Sequence, residues 1–191
     1  MDNNNAKALT AVVIDAEYAD AVAADLAAHF ARELKRRIPP ADVCDWLTCL
    51  VLDAGLRPGA HEINVSWLHE AATPRLRSMA VQGAAYDFSP LCFNNALGAF
   101  CLNAYPVETE LTDKAAFFRE SVLALAAMER VERILLVPGA EVGGSELLAD
   151  VPPQTNVTLF MMSPAPAGSG RVEHLGYSLT HALGVRGEEL A

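Results

Sequence analysis

The sequence predicts an α/β fold. The expected architecture is a single domain over residues 1–191, with a mostly parallel sheet covered by helices on both faces. It is a Rossmann-like three-layer arrangement, with antiparallel edge strands expected from residues 61–107. Three observations predict it. Short β-branched apolar runs alternate with longer segments of helical period. Several of those runs are apolar without alternation, as strands buried on both faces are. A length of 191 residues suits one core better than two.

The elements follow in order. Residues 1–7 read as a frayed polar end. Ala8 to Ile14 is a buried strand ended by Asp15. Residues 16–37 have Ala19, Val22, Ala23, Leu26, Phe30, Leu34 and Ile38 on one helical face. Pro39-Pro40 stops that helix and opens a second, which runs to Ala54 with Gly55 placed to end it. His61 to Glu70 alternates, with His61, Ile63, Val65, Trp67 and His69 on one side and Leu68 out of pattern. Residues 71–97 read as an ordered excursion, and Gly98 to Val107 as a strand. Thr112 caps a helix from Asp113 to Arg130. Ile134 to Val137 and Asn156 to Met162 are strands, joined by a glycine turn and a short helix that Ser145 caps. Pro164 to Gly170 is a turn. Val172 to Leu179 is a final strand before a helical turn, or else a helix spans much of Glu173 to Leu183.

Composition narrows the function classes. Hydrophobic residues make up 52% of the chain and charged residues 20%, which excludes an intrinsically disordered protein. A net charge of −10 argues against general nucleic-acid binding and against anionic membranes. No apolar stretch reaches the ~18–20 residues of a membrane span. Met1 to Asn5 carries no basic or apolar leader pattern, so a cytoplasmic location is expected. Cys44, Cys49, Cys92 and Cys101 show no C-x-x-C spacing and read as buried free thiols in a reducing compartment.

Chemistry in such a sheet belongs at the carboxyl ends of the strands. Asp15 and Glu17 follow the first strand, His69 and Glu70 end another, and Glu141 and Glu146 follow Ile134–Val137. Asp15, Glu17, Glu141 and Glu146 are therefore the candidate ligands of a Mg²⁺ or Mn²⁺ ion, which converging carboxylates would need between them. Asp15 as a helix cap is the simpler reading. Gly139 to Ser145 lacks both the P-loop lysine and the dinucleotide glycine spacing, and no G-x-S-x-G elbow is present. Tyr86, Phe88 and Phe93 are candidates for lining a small-ligand pocket under the 71–97 excursion.

Val12 to Tyr18 (VVIDAEY) resembles the first strand of PIN-like and NYN-type nucleases, which ends in an acidic metal ligand. Ile134 to Leu148 is similar to their later strand, acidic turn and helix. The aspartate-rich turn of those families is replaced here by Ala140 and Glu141. The resemblance implies metal-dependent phosphodiesterase chemistry. With no intact catalytic motif, the leading reading is a non-catalytic binding or regulatory module without an identifiable cofactor. It acts as a homodimer through the apolar second helix, at Val43, Trp46, Leu47 and Leu50. Its protein partner or small ligand is not specified by the sequence. The alternative reading is a divalent-metal-dependent phosphodiesterase or nuclease.

Overall fold

The central strand β1 (Leu9–Asp15) is buried along its whole length, as an unbroken apolar run flanked by strands on both sides requires. The computed structural model describes residues 8–163 and 171–190. After β1 come α1 (Ala16–Glu33), β2 (Ala41–Asp42), α2 (Val43–Asp53), β3 (His61–Glu70), β4 (Met79–Val81), β5 (Ala84–Ala85), β6 (Leu91–Asn95) and β7 (Gly98–Val107). The second half holds α3 (Lys114–Ala126), β8 (Val131–Val137), α4 (Gly144–Asp150), β9 (Val157–Met161), β10 (Arg171–His174) and α5 (Leu175–Ala182).

Seven strands form one sheet in the order β10-β9-β8-β1-β3-β7-β6. All neighbours are parallel except β6 and β7. A mixed α/β chain with a large, mostly parallel sheet is thus what the sequence predicted. Of the 61–107 region, only β6 joins this sheet antiparallel. β3 and β7 pair in parallel, and β2, β4 and β5 make a separate three-stranded sheet.

Alternation along β1 explains the layering. Successive side chains of a strand point to opposite faces. Val12 and Ile14 pack in a core with Phe30 of α1, Trp46 and Leu50 of α2, and Leu179 of α5. Val13 packs in a second core with Phe118 and Val122 of α3 and Leu147 of α4. Leu68, out of pattern in the sequence, is buried in this second core.

Several boundaries differ from expectation for local reasons. Helix α1 stops at Glu33, because Lys35 takes a left-handed backbone at φ 51. The second helix starts three residues after Pro40, where Asp42 accepts the Asp45 N–H at 3.0 Å. Gly55, at φ 82, ends it as the sequence predicts. Helix α3 is capped by Asp113, not Thr112, and ends at Ala126. Helix α4 begins after Gly143 in a left-handed conformation with no side-chain cap, so Ser145 does not cap it. Of the two readings of the last segment, the helix holds over Leu175–Ala182, after a four-residue strand. Residues 1–7 and the turn expected at 164–170 lie outside the described residues.

Helix α2 carries no basic residue in its last turn. Its C-terminal carbonyls are served from a distance instead. Arg133 Nη1 donates to the Ala54 carbonyl at 2.6 Å, and Arg171 Nη2 to that of Asp53 at 2.8 Å. Guanidinium groups at that end also suit the helix dipole.

Candidate functional site

The chain leaves β1 through α1 and α2 on one face of the sheet, and leaves β8 through α4 on the other. Adjacent parallel strands whose connections diverge in this way open a crevice beyond their carboxyl ends. The two segments that resemble nuclease strands are these neighbours, with Ile14 opposite Val137.

Asp15 closes β1 and caps α1, its Oδ1 accepting the Tyr18 N–H at 3.1 Å. The same oxygen accepts from Lys114 Nζ at 2.6 Å. Lys114 also donates to Glu17 Oε2, so one ammonium lies between two carboxylates. Glu17 Oε1 in turn accepts the Glu70 N–H at 2.9 Å, tying α1 to the end of β3. Asp15 is buried and Lys114 nearly so. Burial raises the Glu17 carboxyl, but the Lys114 hydrogen bond, the Glu70 amide and the Lys114 charge outweigh it and leave it below its ordinary value. Burial likewise lowers Lys114, and its bonds to Asp15 and Glu17 more than reverse this, leaving it raised.

Gly139 supplies the other wall. A Cβ there would lie 2.5 Å from Asp15 Oδ2, so only glycine lets the carboxylate sit against the end of β8. The resulting crevice has a volume of about 450 Å³. Asp15, Glu17, Glu70, Asp113 and Glu141 line it with Lys114.

Three of the four predicted metal ligands, Asp15, Glu17 and Glu141, thus line one crevice. Glu146 does not. It is 78% exposed and lies 3.7 Å from Arg119 instead. Between Asp15 and Glu17, the position the sequence reading gives to an ion is held by Lys114. Among the described residues, no three His, Cys, Asp or Glu side chains are grouped to hold a metal.

The other predicted residues go elsewhere. Val43, Trp46, Leu47 and Leu50 are fully buried within the single chain, so they leave no surface for a second copy. Their apolar character serves the core beneath α5, where Trp46 Nε1 donates to Ser178 Oγ at 3.1 Å. Tyr86 and Phe88 are core residues as well. Tyr86 packs tilted on Trp67, and Phe88 stacks on His69 with centroids 3.9 Å apart. Phe93 stacks on Phe100 at 4.5 Å. The thiols are less buried than expected: Cys92 is exposed, and Cys44, Cys49 and Cys101 are half-buried.

Sequence reasoning missed Lys114. A signal was present, because a lysine in the first turn of a helix opposes the dipole and needs a partner elsewhere.

No helix among the described residues is long and apolar enough to cross a membrane. Searches of curated proteins and of solved structures return no match. A family described as a family of unknown function, DUF6621, matches residues 6–190. With the match running from before β1 to beyond α5, the chain belongs to the DUF6621 family.

Proposed function

We propose that the chain is a non-catalytic binding module whose ligand site is the crevice at the carboxyl ends of β1 and β8. The observation that carries this reading is the Lys114 ammonium seated between Asp15 and Glu17. It neutralises the pair from within the fold, where metal-dependent chemistry would need an exchangeable ion. Five acidic residues line the crevice that holds this one ammonium, so the fitting ligand is a small organic cation or a molecule rich in hydrogen-bond donors.

The test is thermal unfolding of the wild-type protein, Glu141→Gln and Asp15→Asn, with millimolar small amines and guanidines and separately with Mn²⁺. The expected result is stabilisation by an organic cation, weakened in Glu141→Gln, and no response to Mn²⁺. Ligand at a hundred times Kd stabilises by about 2.7 kcal/mol.

The second reading is a Mg²⁺- or Mn²⁺-dependent phosphodiesterase. It is favoured by the convergence of Asp15, Glu17 and Glu141 on one crevice between two nuclease-like segments. In that case Mn²⁺ displaces the Lys114 ammonium and stabilises the wild type, and Asp15→Asn abolishes the effect.

The homodimer belongs to the leading reading, but through another face than the one α2 was expected to offer. Its surface is the groove of about 190 Å³ between α3 and the end of β7, lined by Leu68, Tyr105, Phe117 and Leu125. Light scattering across a concentration series tests it. A monomer throughout removes the dimer.

A further inference from the structure

Strand β6 is the outermost strand of the large sheet, and it pairs antiparallel with β7. In that pairing Cys92 stands directly opposite Cys101. Directly opposed residues of an antiparallel pair have Cα atoms about 4.5–5.5 Å apart. A disulfide spans about 4.4–6.8 Å between Cα atoms, so this pair can be joined without moving the backbone. Both thiols are free, and the Cys92 side chain is near enough to perturb that of Cys101.

The pair is also reachable. Phe100 and Leu102, which flank Cys101, point to the buried face. Cys101 therefore points to the other face, where Asn103 and Tyr105 on the same strand and Asn94 beside Cys92 are exposed. The other two cysteines lack this arrangement. Cys44 and Cys49 are five residues apart on α2, a spacing that places them on different sides of a helix.

We propose that Cys92 and Cys101 form a cross-strand dithiol site that is oxidised to a disulfide by low-molecular-weight disulfides. Cys92, the exposed partner, attacks one sulfur of the reagent as its thiolate and expels the first thiolate. Cys101 gives up its proton and attacks Cys92 Sγ, expelling the second. Two S–H bonds are lost and one S–S bond forms. The two electrons reduce the reagent's S–S bond, and the two protons end on the two released thiols. The product fastens the edge strand to the sheet.

The contrast with α2 supports site selectivity. Burial, then Asp42 and Asp45, push the Cys44 thiol up to about 11. Burial, then Asp53 and Asp45, raise Cys49 too. The neighbouring Cys92 side chain, then burial, holds the Cys101 thiol up, and Cys92 is the exposed member of the pair that a reagent meets first.

The experiment treats the folded protein with oxidised glutathione, alkylates it after denaturation, and maps the thiols by mass spectrometry. The expected product is a monomer two hydrogens lighter, with two of four thiols lost and the bond at Cys92–Cys101. In Cys101→Ser the reaction stops at a glutathione adduct on Cys92. A Cys44→Ser/Cys49→Ser double variant behaves as the wild type. Four alkylatable thiols after treatment, a bond involving Cys44 or Cys49, or a dimer linked through Cys92 each overturns the proposal.

Discussion

Lys114 Nζ lies 2.6 Å from Asp15 Oδ1, across 99 residues of sequence. The bond joins the first turn of α3 on one face of the sheet to the cap of α1 on the other. Removing the ammonium leaves a buried carboxylate beside a second one. Breaking such a buried pair from one side costs about 3 kcal/mol or more. Lys114→Met is expected to lose about this much in urea unfolding, while Lys35→Met, on the surface, stays within about 0.5 kcal/mol of wild type.

The same contact sets a pH window. Glu17 is held below its ordinary value when folded, so its contribution is fully present above the unfolded pKa of about 4.3. It is lost as pH falls through the lower folded value. Lys114 is held above its ordinary value, so its contribution is fully present below about 10.4 and lost as pH rises through the higher folded value. Urea midpoints measured against pH are expected to fall at both ends. Glu17→Gln is expected to make the acid limb shallower and Lys114→Met the alkaline one, each leaving what the other shifted groups contribute. An unchanged alkaline limb in Lys114→Met would contradict the assignment.

Gly139 is required by space rather than by backbone conformation. Its added Cβ would meet the Asp15 carboxylate at 2.5 Å. Gly139→Ala is expected to destabilise by about 1–3 kcal/mol, in the range of overpacked sites. Combining it with Asp15→Ala tests the cause. The double variant is expected to be less destabilised than the sum of the two, and strict additivity would place the clash elsewhere.

Helix α2 separates a core role from an interface role. Leu47 is fully buried in the isolated chain. Leu47→Ala is expected to cost about 2–5 kcal/mol, as core truncations do, with no dependence on protein concentration. Ser178→Ala leaves the buried Trp46 indole N–H without its acceptor, at an expected cost of about 1–3 kcal/mol. Calorimetry at two concentrations checks both. A Leu47→Ala loss relative to wild type that changes with protein concentration would return α2 to the interface.

What the sequence made legible was local. The run from Leu9 to Ile14 ends at Asp15, and that acid marks both the strand's end and the helix's start. Gly55 marks the end of α2 because its positive φ is a requirement of the turn itself. The partners of these residues come from far along the chain. Nothing near Asp15 announces Lys114, and nothing near Asp53 announces Arg133 and Arg171, since strand order decides which loops meet. Trp46 and Leu50 were misread for a related reason. An apolar helix looks the same whether α5 or a second copy covers it. Tyr86 and Phe88 face Trp67 and His69 because residues 71–97 fold back over β3, a path that the glycine and proline signals there leave open.

Asp15 Oδ1 serves two helices at once, accepting the Tyr18 amide and the Lys114 ammonium. The helical layers on opposite faces of the sheet are thereby latched over its carboxyl edge, with the Glu17 bond to the same ammonium as the second strand of the latch. Fraying of α3 at Lys114 and opening of the first turn of α1 then belong to one cooperative event. Amide protons at Tyr18 and at Phe117, which bonds back to Asp113, are expected to exchange with a common opening free energy and to lose protection together when that oxygen is removed.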